Sequence, residues 1–145
     1  MQEKPDLYPD SDFDEVGKKF RRHINGDAYV DDQLKARNGF NHEWQVYCTN
    51  QLWGRTWARN ILQHQQLSLI NLGMLAGAAR MEEWEIHLRV ALTVTKIPLA
   101  QLRETILHIG MYCGVPIGRD CMAITRRVLT ELNIDLSELD NPASQ

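Results

Sequence analysis

The chain of 145 residues carries a net charge of −3 and has a pI near 5.9. This length is typical of one domain, and we predict a single domain. Lysine and arginine are scattered along the chain, which argues against a nucleic-acid partner because binding to phosphates requires a concentrated basic surface. No segment has the roughly 20 apolar residues that cross a bilayer, so no membrane partner is expected.

The cysteines and histidines indicate the compartment and the absence of a metal cofactor. Cys48, Cys113 and Cys121 are an odd number at wide spacing, which favours free thiols in a reducing compartment over a disulfide framework. The acidic, polar N-terminus is unlike a secretory signal, so a cytoplasmic location is predicted. The histidines show no zinc-ligand spacing, and neither a metal site nor a cofactor is expected.

Apolar residues recur at intervals of three and four, without alternating strand patterns of any length, so the predicted fold class is all-α. Residues 1–12 contain two prolines and several acids, which predicts a flexible acidic arm. Residues 135–145 are predicted to form a C-terminal tail of the same kind. The domain itself is predicted to comprise residues 13–134.

Residues 41–62 hold three of the four tryptophans together with two arginines. Trp53 and Trp57 are one helical turn apart, and Arg59 follows them. Indoles beside guanidinium groups can form a wall that stacks a flat ring and binds its carboxylate. The alternative is that these tryptophans belong to the core, as aromatic residues at helical spacing usually do.

The next predicted element, residues 67–79, is apolar almost all round and too short to cross a membrane. We predict that it is the buried core helix. Gly73 and Gly77 provide small positions where other helices, including those of another subunit, can come close.

A helix is predicted over residues 81–94, with Trp84, His87 and Leu88 on one inward stripe. A histidine on an apolar face is either a hydrogen-bonded core residue or an acid/base group. Glu83 lies one turn earlier, where a carboxylate can fix the imidazole tautomer and raise its pKa, as a general acid needs.

Another helix is predicted over residues 99–113, ending at Gly114 with Pro116 beyond it as a stop signal. Cys113 then lies at a helix C-terminus, where the negative end of the dipole raises a thiol pKa. We therefore interpret Cys113 as a packing or pocket-lining residue rather than a nucleophile.

On that helix Glu104, His108, Met111 and Tyr112 share one side at intervals of four, seven and eight. A carboxylate, an imidazole and a phenol in line are typical either of a catalytic stripe or of a solvated face. A final helix is predicted over residues 117–132.

Four stretches in this order point to one family. They are FRRHINGDAYVDDQL (residues 20–34), WGRTWAR (53–59), EIHLRVAL (85–92) and LRETILHIGMYCGVPIG (102–118). Together they cover most of the chain, and the last is the most specific. The sequence resembles the carboxymuconolactone decarboxylase family, within the alkylhydroperoxidase D-like superfamily.

The resemblance implies a helical subunit that forms homotrimers or homohexamers. It also implies a decarboxylation, without a cofactor, of a carboxylated unsaturated lactone or a related ring acid. Loss of carbon dioxide next to a conjugated lactone leaves a dienolate-like charge. The protein must bind the carboxylate, stabilise that charge and return a proton at carbon.

Residue roles follow from the same resemblance. The expected catalytic residues, with His87 as the proton donor, are His87, Glu104 and Tyr112. The expected substrate-binding residues, with the two arginines as anion binders, are Arg22, Arg59, Trp53, Trp57, Glu83, His108 and Cys113.

Peroxidases of the superfamily use a Cys-x-x-Cys pair where this chain has Arg80 and Glu83, so disulfide peroxidase chemistry is not expected. The chain also departs from the decarboxylase pattern. Leu67 replaces an arginine that commonly precedes the core helix, and residues 117–120 bring charge to a run of small residues. Two alternatives therefore stay open: a related isomerase, dehydratase or lactone hydrolase, and a non-catalytic oligomeric binding protein.

Overall fold

A computed structural model describes residues 7–140 and contains only helices and connecting turns in that range. The all-α prediction is confirmed. The chain divides into two compact units, with the boundary between Leu62 and Gln63, and the predicted single domain over residues 13–134 stays a prediction. No helix of the described range is long and apolar enough to cross a membrane.

The first unit is built around a helix whose two ends are set by local chemistry. The carboxylate of Asp14 accepts a hydrogen bond of 2.8 Å from the backbone N–H of Gly17 and caps the first turn. Gly26 ends the helix with a φ of 83°, which glycine adopts without strain. The helices of this unit are α1 (Glu15–Asn25), α2 (Asp27–Lys35) and α3 (His42–Tyr47).

Helix α3 continues directly into a π-helix, Cys48–Gly54, and a 3₁₀ turn follows at Trp57–Arg59. The π-helix packs against α1. Gly17 permits this close approach, because a Cβ at that position would lie 2.3 Å from the backbone oxygen of Thr49.

Part of the predicted N-terminal arm is bound to the first unit. Arg37 Nη1 donates to Asp10 Oδ1 at 2.9 Å, and His42 Nε2 lies 2.8 Å from Asp12 Oδ2. Residues 1–6 of the arm lie outside the described residues, as do residues 141–145 of the predicted tail.

The second unit is a bundle of four helices: α4 (His64–Gly77), α5 (Met81–Thr93), α6 (Leu99–Tyr112) and α7 (Val115–Glu131). These bounds lie within three residues of the predicted ones. Gly114, with a φ of 98°, turns the chain between α6 and α7. Pro116 occupies the first turn of α7, where its missing N–H is not needed, so it begins the next helix rather than stopping the previous one.

The core of the second unit is apolar. Trp84 is fully buried, and its indole N–H donates to the backbone oxygen of Leu72 at 3.1 Å. Helices α6 and α7 approach closely where Gly118 meets Gly110, since a Cβ on Gly118 would lie 2.7 Å from the Cα of Gly110.

Helix α4 contributes Leu72 and Ala76 to the core, as predicted, but within a single chain it is not buried on all sides. Its buried residues, Ser68, Leu72 and Ala76, form one stripe. Ile70 and Met74 are exposed, Met74 by 60%. An apolar composition shows that a helix can be buried, but this unit has neighbours for only one of its faces.

Candidate active site

His87 lies on α5, half-buried, and faces a polar side chain of α4. The side-chain Nδ2 of Asn71 is 3.4 Å from His87 Nδ1. With the amide in this orientation its nitrogen donates, which assigns Nδ1 as the acceptor and the proton of the neutral ring to Nε2. Asn71, which the sequence analysis missed, therefore orients the predicted acid/base residue.

Burial lowers the pKa of His87, and the charge of Glu83 opposes this effect without reversing it. The predicted rise in pKa was therefore wrong. The carboxylate of Glu83 is already paired with Arg80, with a distance of 2.5 Å from Nη2 to Oε1. Loss of hydration around the imidazole outweighs a carboxylate whose charge is compensated, so His87 is neutral at neutral pH in the free protein.

The polar stripe of α6 faces outward. Glu104 forms an exposed ion pair with Arg103, and the rings of His108 and Tyr112 lie 4.5 Å apart with Tyr112 80% exposed. Met111 is exposed as well. Of the two interpretations left open by the sequence, the structure shows a solvated face, because the other side of α6 carries the residues that enter the core: Leu99, Leu102, Ile106 and Ile109. The catalytic roles of Glu104 and Tyr112 stay predictions.

Trp53 and Trp57 are both buried, with ring centroids 5.7 Å apart and planes inclined by 39°. They lie in two different elements, the π-helix and the 3₁₀ turn, so the one-turn spacing assumed from the sequence does not apply. Both contribute to the core of the first unit, and Trp53 also borders a cavity.

The two arginines expected to bind an anion differ in their surroundings. Arg22 forms ion pairs with Asp27 and Asp31 at 3.2 and 2.8 Å, and hydrogen bonding, chiefly to Asp31, raises its pKa. Arg59 is exposed at the end of its 3₁₀ turn. The charge of Arg22 is thus already compensated within the chain, and anion binding by either residue stays a prediction.

The neighbouring Arg21, which the sequence analysis missed, is the buried arginine of α1, with 6% exposure. Its Nη1 donates to Thr49 Oγ1 at 3.0 Å, and its Nη2 donates to Gln45 Oε1 at 2.7 Å. Burial is the largest influence on its pKa and lowers it. The spacing of Gly17, Arg21 and Ile24 along α1 was the available signal, because residues at i, i+4 and i+7 share a face.

Two proteins are similar to this chain over most of its length, although no family model matches it. A nitrosuccinic acid decarboxylase of Metarhizium robertsii is 33% identical over 132 residues, covering 90% of this chain and 89% of the relative. A 4-carboxymuconolactone decarboxylase of Acinetobacter baylyi is 31% identical over 120 residues, covering 81% and 87%. The chain belongs to the carboxymuconolactone decarboxylase family.

Cys113 caps the C-terminus of α6 in this family member and packs against the core of the second unit. It is half-buried, and a Cβ on Gly77 would lie 3.8 Å from its Sγ. This environment agrees with a packing role. Among residues 7–140 all three cysteines are free, and no cluster of three or more histidine, cysteine or acidic side chains could hold a metal ion.

The residues at which this chain departs from the pattern of its family, Leu67 and residues 117–120, can be located in the structure. Leu67 lies inside the first turn of α4 rather than before it, because the helix begins at His64. Arg119 and Asp120 are exposed on α7, 4.0 Å apart. The charge that these two residues add therefore lies at the surface.

Proposed function

We propose that this protein is a cofactor-free decarboxylase in which His87 returns the proton to carbon. Its substrate is a carboxylated unsaturated lactone or a related small acid. The observation that carries the proposal is the half-buried imidazole of His87, held by Asn71, in a chain whose similar proteins are both named as decarboxylases.

The substrates in the names of these relatives suggest a common chemical requirement. A carboxylate lies near a group that can accept an electron pair, a nitro group in one acid and a conjugated lactone in the other. The bond to the carboxyl carbon breaks, carbon dioxide leaves, and the electron pair moves into the acceptor. A new C–H bond then forms with a proton from His87, so one carbon dioxide is released for each proton taken up.

The lowered pKa of His87 is compatible with this role because the substrate is an anion. A negative charge bound near the imidazole raises its pKa, so substrate binding recruits the proton that is later transferred. Asn71 can turn its amide so that Oδ1 accepts from the newly protonated Nδ1.

This sequence of events predicts two different pH profiles. Because burial lowers the pKa of free His87, kcat/KM should be highest in acid and fall as the pH rises through a value below the ordinary 6.5. The value of kcat should persist to higher pH, since it reports the complex. Asn71→Asp should move the fall in kcat/KM to higher pH, whereas Asn71→Ala should not. A kcat/KM that increases with pH would instead assign His87 as a base.

The direct test of the proposed function follows carbon dioxide release and deuterium uptake together in deuterated buffer, with a panel of carboxylated lactones and nitro acids. His87→Gln should lower turnover by at least about 100-fold with little change in melting temperature. His23→Gln, at an exposed position of α1, is the matched control and should retain full activity. Equal activity of the His87 and His23 variants would remove His87 from the reaction.

The outcomes also separate the other candidates. Deuterium uptake without carbon dioxide release would indicate an isomerase or a related proton-transfer enzyme. The exposed position of Glu104 and Tyr112 supports a second candidate, a non-catalytic binding protein, in which these residues form a solvated face. That candidate predicts neither signal.

The exposed side of α4 supports the homotrimer or homohexamer expected for an alkylhydroperoxidase D-like bundle. Ile70 and Met74 expose apolar surface that an interface between subunits would cover. Met74→Glu should therefore dissociate the assembly, as measured by sedimentation velocity. Exposed Ile86 on α5 provides a control, Ile86→Glu, and equal dissociation by both variants would argue against an interface specific to α4.

A further inference from the structure

Arg21 is a buried cation with neutral partners only. Its described hydrogen bonds go to the hydroxyl of Thr49 and the amide oxygen of Gln45. Within residues 7–140, no carboxylate oxygen lies within 4.0 Å of its guanidinium group, whereas Arg22 and Arg37 in the same unit both have carboxylate partners. Burying a charge without a counter-charge costs free energy of folding, so the position of Arg21 calls for an explanation other than stability.

The residue Arg21 lines a cavity of about 200 Å³ in the first unit that is half open to solvent. Pockets for drug-sized ligands have about 300–1,000 Å³, so a cavity of this size suits a smaller organic acid. Three aromatic side chains provide flat apolar surface around it. The lining residues are Arg21, Asn25, Tyr29, Gln33, Trp44, Gln45, Cys48, Leu52 and Trp53.

The charge and shape of this lining favour one class of ligand. Arg21 is the one charged residue among the lining residues, so the cavity offers a single positive charge, enough for a monoanion. Two hydrogen bonds hold the guanidinium plane and use two of its five N–H groups, which leaves three for a ligand, and paired guanidinium N–H groups match the geometry of a carboxylate. The π-helix supplies part of the wall, and π-helical segments are frequent at functional sites.

We infer that the Arg21 cavity binds the carboxylate of a small aromatic or cyclic monoacid, with Arg21 on the carboxylate and the indoles of Trp44 and Trp53 against the ring. This is a binding site that goes beyond the proposed reaction at His87. Its test measures binding without turnover, so failure of this inference and failure of the proposed function are distinguishable.

The experiment titrates the full chain with benzoate and, in parallel, with neutral benzamide, following tryptophan fluorescence and the shift in melting temperature. Benzoate should bind at least about ten-fold more tightly than benzamide, since a hydrogen bond between two charged groups is stronger than one to a neutral amide. Inorganic phosphate should compete weakly, because the cavity compensates only one negative charge. Tighter binding of phosphate than of benzoate would overturn the assignment of a carboxylate.

Variants connect this binding to Arg21. Arg21→Met should weaken benzoate at least about ten-fold and abolish its preference over benzamide. Lys19→Met makes the same change in net charge at an exposed position of α1 and should leave benzoate affinity within about two-fold. If Arg21→Met does not fold, Arg21→Lys keeps the charge but loses the planar fork and should still weaken benzoate. Wild-type affinity in the folded Arg21 variant, or no benzoate binding by the wild type, would overturn the inference.

Discussion

The two units differ in what they bury and in how they compensate charge. The buried polar residues of the first unit include Arg21, Gln45 and Thr49, which form one hydrogen-bonded set. In the second unit the core is apolar, and its buried polar side chains, Ser68 and Thr125, are small hydroxyl residues. Burial of the charged Arg21 in the first unit costs free energy, whereas burial of apolar side chains in the second unit is favourable.

The charges of the second unit form a compensated network at the surface. Glu85 accepts from Arg127 Nη2 at 2.5 Å and from Arg89 Nη2 at 2.8 Å, and both arginines also pair with Glu131. Two cations and two anions thus satisfy one another, and hydrogen bonds, first from Arg127, lower the pKa of Glu85 to about 2. Within residues 7–140 each of these charges has a partner of opposite charge, whereas the partners of Arg21 are neutral, which is why we assign it a ligand.

The largest expected effect comes from separating α1 from the π-helix. Gly17→Ala places a methyl group 2.3 Å from a backbone oxygen, so the polar core of the first unit must open, and we expect a loss of about 3 kcal/mol in the free energy of unfolding. Gly73→Ala, where no atom lies within 4 Å of the new Cβ, should instead stabilise α4 by up to about 1 kcal/mol. Urea denaturation of both variants measures the difference, and equal effects would contradict the close contact at Gly17.

A smaller effect compares a buried hydroxyl that accepts a hydrogen bond from Arg21 with one that only hydrogen-bonds within its own helix. Thr49→Val removes an acceptor from Arg21 and should cost about 2 kcal/mol, because a buried charged donor loses its partner. Thr125 donates only to the carbonyl of Cys121 within α7, so Thr125→Val should cost less than about 1 kcal/mol. Thermal unfolding of the two variants compares them. A larger loss for Thr125→Val would show that the hydrogen-bonded set around Arg21 has no special importance for stability.

The smallest effect belongs to the surface network. Because the folded pKa of Glu85 is about 2 and lies below the unfolded value, its contribution is fully present above about pH 4.5 and is lost as the pH falls towards 2. Solvent screening limits that contribution to about 1 kcal/mol or less. Glu85→Gln should therefore lower the melting temperature slightly at pH 7 and flatten its decline in acid. High salt should remove most of the difference at pH 7, and a loss that is unaffected by salt would contradict an electrostatic origin.

Helices α4 to α7 could be predicted within three residues from their apolar spacing, and Pro98 and Gly114 mark the starts of α6 and α7. The orientation of α6 could not, since Leu107 and Met111 place apolar residues among the polar residues of its solvent side. The π-helix has no residue pattern that distinguishes it from an α-helix. The resemblance to the family covers both Arg21 and Arg22, and the spacing of Gly17, Arg21 and Ile24 along α1 is the feature of the sequence that indicates which of the two arginines is buried.

The π-helix also makes the length of this segment a constraint in its own right. Each of its hydrogen bonds spans one residue more than in an α-helix, and Cys48–Gly54 maintains this pattern throughout. Deleting one residue would allow relaxation to an α-helix and rotate Trp53 by about 100° around the helix axis. Laboratory evolution should therefore accept substitutions at exposed Gln51 but reject deletions there. The number of residues in the π-helix then matters more for the fold than the identity of its exposed residues.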